Sequence, residues 1–381
     1  MEKMIYFDNA STTKVDERVL EVMMKYFRDI YSNPSSAHSF GNLSLAAVKK
    51  AREQVSELIN CNPNEIIFTS GATEAINLGI KGYAQSNQEK GRHIVTVSTE
   101  HKAVLDTCNY LETIGFEITY LPIKKDGLID IEQLKSAIQD DTILIAIMFV
   151  NNEIGVIQDI NKISDIAHEK NICFFCDATQ AVGKIPVNVE NLGIGMMAFS
   201  AHKFYGPKGI GALYVNNNFK PITPLIHGGG QEEGLRNGTL NVPGIVGFGK
   251  ACEISILEMD DNKLKISKIR NTLEIELLKF PNSYINGNPY DRIYNITNIC
   301  FPGIEATVII GRMNNIAISN GSACNSASAE PSHVLKAMGL SDLYSFSSLR
   351  FSFGKYNCHE EIKEFKNCFK LINNIADEYD S

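Results

Sequence analysis

Two hydrophobic rhythms take turns between residues 45 and 250. In "SLAAVKKAREQVSELI", Leu45, Val48, Val55, Leu58 and Ile59 fall on one stripe at helical spacing, and "QDINKISDIAHEK" repeats such a pattern further on. Between such segments stand short apolar runs: "EIIFT", "HIVTV", "FEITYL", "TILIAIMFV", "ICFFCD", "MMAFS" and "GALYV". Runs that are apolar on both faces are strands covered from both sides. The alternation predicts an α/β fold, a mostly parallel sheet sandwiched by helices. Ligands of such sheets bind at the carboxyl ends of the strands.

After about residue 255 the pattern changes to a long polar helix, a few strands and a terminal helix. This predicts a large domain over residues 15–255 and a second, smaller α+β domain made of 1–14 plus 256–381. No repeat, low-complexity tract or Gly/Ser-rich linker divides the chain.

Composition narrows the function. The 381 residues are 44% hydrophobic and 21% charged, enough apolar material for a sizeable core. A formal net charge of -8 argues against autonomous binding to nucleic acid or to an anionic membrane, both of which need a basic surface. "MEKMIYFDNASTTK" lacks a signal-peptide core, and the longest apolar run, "ILIAIMFV", is too short to span a bilayer, so a cytoplasmic protein is expected. Nine cysteines scattered singly are expected to remain thiols in a reducing compartment. Cys173 and Cys176 of "CFFC" have metal-site spacing, but on a strand residues three apart face opposite ways, so both are expected in the core.

The segments that follow the strands carry the candidate chemistry. After "IIFT", Ser70 and Thr73 are expected to cap a helix and Gly71 to let a ligand approach, a cradle for phosphate. After "ICFFC" comes Asp177. After "MMAFS" come Ser200, His202 and Lys203, the lysine between an apolar strand and a glycine-rich turn where an amine can form a Schiff base. Asp177 suits a protonated pyridine nitrogen. His101, after "HIVTV", offers a flat ring for stacking. Cradle, ring, carboxylate and lysine on one sheet describe a site for pyridoxal 5'-phosphate. In "SSLRFSFG", Leu349, Phe351 and Phe353 alternate with Ser348, Arg350 and Ser352, so a single arginine sits on a polar strand face, fit for a carboxylate.

These segments, with "YFDNASTT", "SNPSSAHSFG", "TEHKAVLDTC", "VNNEIGVIQDI", "DATQAVGKIPV", "HGGGQEEGLRNGT" and "SNGSACNSASAEPSHVL", resemble the cysteine desulfurases of the NifS/IscS type, within the class V aminotransferase group of fold-type I pyridoxal enzymes. The resemblance implies that Lys203 holds the cofactor, Asp177 pairs with its pyridine nitrogen and His101 stacks on its ring. It implies phosphate binding by Ala72, Thr73, Ser200 and His202, with Thr239 reaching in from a second subunit of a homodimer. Asn152 and Gln180 would contact the ring oxygen and the substrate side, and Arg350 the carboxylate of L-cysteine. Cys324, in the "GSAC" stretch, is implied as the nucleophile that takes the sulfur as a persulfide while alanine leaves. Its surroundings of Ser, Ala, Asn and Gly suit a segment that travels, and a helix is expected from Pro331 to near Gly339.

No resident metal is implied, although the Cys324 persulfide would be able to ligate an iron-sulfur cluster transiently. Glu233, Asn237 and Tyr294 depart from the family pattern, the first two near the cross-subunit phosphate contact. The sulfur-acceptor protein stays open among an iron-sulfur scaffold, a tRNA-thiolation relay and a DNA-phosphorothioation relay. Two alternatives also stay open: a related pyridoxal enzyme, such as an aminotransferase or selenocysteine lyase, and a non-catalytic partner-binding member.

Overall fold

The computed structural model describes residues 4–313, 315–321 and 330–379, with side chains described as far as residue 369. Its strands are β1 (Ile5–Tyr6), β2 (Ile66–Thr69), β3 (His93–Val97), β4 (Glu117–Leu121), β5 (Thr142–Ala146), β6 (Cys173–Asp177), β7 (Met196–Ser200), β8 (Gly211–Val215), β9 (Tyr284–Ile285), β10 (Ile296–Cys300), β11 (Ile316–Ala317) and β12 (Ser348–Ser352). Every run read as a strand between residues 45 and 250 forms one. Seven of them make the main sheet, in the order β2-β8-β7-β6-β5-β3-β4. Pairing is parallel from β4 through β7; β8 alone runs against its neighbours, so β2 again points the same way as β7.

Strand alternation sorts the side chains into two cores. Phe174 and Cys176 of β6 belong to one apolar cluster, while Cys173 and Phe175 belong to the other, on the opposite face. Both cysteines are fully buried, and burial pushes both thiols well above the usual cysteine range. They are core residues, as expected. β5 is shorter than its apolar run: it ends at Ala146, yet the amides of Ile147 and Phe149 still donate to Phe175 and Asp177 of β6. The chain thereby follows β6 to its carboxyl end before turning away.

Four early helices are α1 (Glu17–Arg28), α2 (Ser39–Ile59), α3 (Ala72–Asn87) and α4 (Lys102–Thr113). On α2 the predicted stripe buries Val48, Val55, Leu58 and Ile59, with Leu45 half-buried. α2 lies against a 36-residue helix, Val242–Leu277, so closely that a Cβ on Gly249 would come within 2.7 Å of the Ala51 Cα. That helix is continuous through residue 255, where the sequence suggests a domain boundary.

Beyond it lie two small sheets, a parallel β1-β11 pair and an antiparallel β12-β10-β9 set. β12 also holds the N-terminal segment: Ser352 N donates to Phe7 O, Asn9 N to Ser352 O, and Ala10 N to the Ser352 hydroxyl at 2.8 Å. Residues 10–13 are thereby delivered to the end of the main sheet. Among the described residues no helix is long and apolar enough to cross a membrane.

Candidate active site

A cavity of about 670 Å³ opens at the carboxyl ends of β2, β3, β5, β6 and β7. Of the residues given a catalytic, cofactor-binding or substrate-binding role by the sequence reading, all line it except Thr239 and Cys324. Thr239 is exposed, and Cys324 lies outside the described residues.

The cradle is built differently from the sequence expectation. Neither Ser70 nor Thr73 caps α3; the cap position is Gly71, which supplies no side chain, and Ser70 N donates instead to Glu74 Oε2 at 2.7 Å. The first bond of the helix runs from Ala75 N to Gly71 O, so the preceding amides have no acceptor in their own helix. An uncapped helix start beside a cavity is a fitting seat for an anion. β8 makes room for it: a Cβ on Gly211 would lie 2.7 Å from the Gly71 Cα. Ser200 and His202 approach from β7. His202 Nδ1 lies 3.1 Å from Thr12 Oγ1, and burial, followed by the charges of Lys203, Lys208 and Lys184, pushes the imidazole down to about 4.

At the centre, Lys203 Nζ donates to the carbonyls of Ala10 and Ser11 at 2.8 and 2.7 Å. Asp177 ends β6 and is buried; Thr179 N donates to its Oδ1 at 3.0 Å. His101 is the cap of α4, its Nδ1 accepting from Ala103 N at 3.1 Å. A protonated Nδ1 could not accept that bond, and burial holds the imidazole below its usual range against the pull of Asp177. His101 is therefore neutral, with its proton on Nε2. The residues fit pyridoxal phosphate: an open helix start for the phosphate, a buried carboxylate for a pyridinium, an amine for the aldehyde and a neutral ring beside them.

Arg350 is not on a solvent face. Its strand is buried on both sides, the residue is 2% exposed, and its guanidinium is shared among three partners. Nη1 donates to Asn152 O at 3.0 Å, and Nη2 to Asp8 Oδ1 and Ser11 Oγ, each at 2.7 Å. The buried Nε has no partner among the described residues.

Gly321 and Glu330, which bracket the undescribed stretch 322–329 in sequence, both line the cavity. Buried Glu153 accepts from Ser332 Oγ at 2.5 Å, while a Cβ on Gly321, at φ 86°, would fall 2.7 Å from the Glu153 Oε2. The helix that follows is His333–Ala337, capped by Ser332, rather than one starting at Pro331. Ser332 competes better for the cap than Pro331 does for a first helical position, because its hydroxyl can accept the Leu335 amide.

Several site residues escaped the sequence reading: Asp8, Glu100, Glu153, Lys184 and His333. Glu100 Oε1 accepts from Met148 N at 2.8 Å and its carbonyl accepts from His333 Nε2 at 3.0 Å. Burial, and more weakly the charge of Asp177, hold the Glu100 carboxyl well above its usual range against the Met148 amide. Each of the five stands inside a stretch that carries the resemblance, and Glu100 and Glu153 stand directly beside His101 and Asn152.

Asn237, buried, ties its own loop together, its amide nitrogen donating to Ile226 O and Gly234 O and its oxygen accepting from Gly230 N. Glu233 is exposed with a left-handed backbone, and Tyr294 is buried.

Such a site on such a sheet defines a class of enzymes, and the class-V aminotransferase family model matches residues 5–365. The chain is 49% identical over 362 residues to a cysteine desulfurase IscS of Ehrlichia chaffeensis, covering 94% of this chain and 88% of that protein. A solved NifS-like protein superposes with a TM-score of 0.91 at 39% identity, covering 98% of this chain and 99% of the other. A structure described as SspA in complex with cysteine superposes with a TM-score of 0.83 at 40% identity, covering 93% and 100%. The chain belongs to the cysteine desulfurases of the class-V aminotransferase family, which are pyridoxal-phosphate enzymes.

Proposed function

We propose that this chain binds pyridoxal phosphate in the cavity described, converts L-cysteine to L-alanine there, and takes the sulfur onto Cys324 for delivery to an acceptor protein. The observation that carries the reading is Ser11. Its carbonyl accepts from Lys203 and its hydroxyl from Arg350, so one residue joins the amine suited to a cofactor aldehyde and the guanidinium suited to an amino-acid carboxylate.

Bound pyridoxal phosphate supplies an electron sink conjugated to the substrate Cα. The chain's residues do the rest. The open start of α3, with Ser200 and His202, holds the phosphate. Asp177 would keep a proton on the pyridine nitrogen, and neutral His101 would offer its flat ring to the cofactor without adding charge. Arg350, its Nη groups already occupied, offers its Nε edge to the carboxylate. Lys203 Nζ moves the Cα proton. The Cys324 thiolate then attacks the substrate sulfur; the Cβ–S bond breaks, its electron pair stays with the carbon fragment, and protonation gives alanine. Cysteine plus thiol becomes alanine plus persulfide, which balances without an external oxidant.

The exposed position of Thr239, away from the cavity of its own chain, supports a homodimer in which it serves the other subunit. So do Leu20, Met24 and Phe27, spaced along α1 and all exposed.

A brief pulse of L-cysteine without reductant, followed by peptide mass spectrometry, tests the reading. One added sulfur atom is expected on the peptide containing Cys324, with one alanine released, and neither is expected from Cys324→Ser. Sulfur on another cysteine, or wild-type turnover by the serine variant, refutes it. Amino transfer to a keto acid in place of alanine release would indicate an aminotransferase.

A further inference from the structure

Beneath the site lies a second lysine. Lys184 is 6% exposed, and its Nζ donates to Gln180 Oε1 at 2.6 Å. Burial, then the charges of Lys203 and Arg350, hold its amine well below the ordinary lysine range. An amine is a costly way to fill such a position: it loses hydration and side-chain entropy, whereas a methionine would fill similar space at lower cost. Its single described hydrogen-bond partner is a side-chain amide at the cavity wall.

That amide has a second bond. Gln180 Nε2 donates to Ala10 O at 2.9 Å, the same carbonyl that accepts from Lys203 Nζ at 2.8 Å. A glutamine amide can be turned end for end at little intrinsic cost, which exchanges its acceptor for its donors. Here both ends are specified: Ala10 O requires an N–H, and Lys184 supplies one to the opposite end. The nitrogen carries two hydrogens, one on Ala10 O and the other left over beside the cavity that Gln180 lines.

We propose that Lys184 is a positioning residue that fixes the Gln180 amide so that it shows an N–H, and not a carbonyl oxygen, to the ring oxygen of the cofactor. The inference rests on the assignment of Gln180 to that oxygen in the proposed function. An ionised ring oxygen accepts hydrogen bonds; a carbonyl in the same place would repel it. Ala10 O cannot guarantee the orientation alone, because the cofactor would draw Lys203 away from it and leave that carbonyl freer to shift. Lys184 holds the other end of the amide from behind, out of reach of cofactor and substrate.

The experiment compares two probes on the full chain stripped of cofactor: pyridoxal phosphate and 3-deoxypyridoxal phosphate, which lacks the ring oxygen. Lys184→Met should weaken binding of pyridoxal phosphate by about tenfold, the size of one net hydrogen bond. It should leave binding of the deoxy analogue unchanged, and Gln180→Met should show the same selectivity. A merely structural role would weaken both probes alike, and that result overturns the proposal, as does an unchanged affinity for both. Should Lys184→Met fail to fold, Gln180→Met decides in the same assay, since loss of selectivity there removes the contact through which Lys184 acts. Failure of the wild-type chain to bind pyridoxal phosphate would instead sink the cofactor assignment.

Discussion

Asp8 and Arg350 meet at 2.7 Å across 342 residues of sequence, the carboxylate 19% and the guanidinium 2% exposed. The pair gives the arginine one fixed orientation before any substrate arrives. Removing the guanidinium therefore has two effects that separate in experiment. Arg350→Ala should weaken L-cysteine binding by about 2 kcal/mol, about thirtyfold, through loss of a charge-assisted contact. It should also lower thermal stability, because Asp8 loses its ion-pair partner. Steady-state kinetics with an unchanged Michaelis constant and turnover would refute the substrate role, whatever the melting temperature does.

Lys203→Ala should remove the covalent link to pyridoxal phosphate. Borohydride treatment of the wild type should leave a pyridoxyl group on the peptide containing Lys203. A variant that still traps the cofactor on another lysine, such as Lys102 or Lys208 of the cavity wall, would show the assignment to be wrong.

Gly321→Ala places a side chain on a left-handed residue and against Glu153 Oε2. Backbone strain of this kind costs about 1 to 3 kcal/mol. Because Glu153 also holds Ser332, alanine production should fall while the affinity for pyridoxal phosphate stays at the wild-type value. Unchanged turnover would mean that the stems on either side of Cys324 do not depend on Glu153.

The protein without cofactor should lose stability in mild acid. His202 sits at about 4 when folded, whereas an unfolded histidine titrates near 6.5. Between those values the unfolded chain takes up a proton that the folded chain refuses. The contribution is therefore fully present above about pH 6.5 and is lost as pH falls toward 4. His101, also lowered, adds in the same direction. Melting temperatures between pH 7 and pH 5 should fall more steeply for wild type than for His202→Asn, and equal slopes would contradict the assignment.

The sheet was legible because its strands are apolar on both faces, a pattern that amphipathic surface segments do not produce. Asp177, Lys203 and His101 were legible for a related reason: a polar residue at the end of such a run has nowhere to sit but the sheet's edge. Arg350 was half legible. Alternation identified its polar face, but its burial depends on Asp8 and Ser11, which no local pattern connects to β12. Glu100, Glu153 and Lys184 were illegible as buried groups, since a lone Glu or Lys beside a turn reads as a solvated charge until tertiary packing covers it. The start of α3 was misjudged because Ser70 is the better cap by preference, while the space that Gly211 leaves allows Gly71 to take the position.

The docking of residues 7–10 along Ser352 has a bearing on how the protein is made. Ala10 and Ser11 anchor Lys203, and Asp8 and Ser11 orient Arg350, yet the strand that holds this early segment is translated some 342 residues after Ala10. On the ribosome the main sheet can form with its lysine in place and the early segment can already meet Gln180 and His202, but Ser352, which pins Phe7, Asn9 and Ala10, and Arg350 itself emerge only with β12. Catalytic competence is thus acquired nearly last. A chain cut short before β12 lacks both Arg350 and the Ser352 anchor, so its pocket is incomplete however well the main sheet has formed.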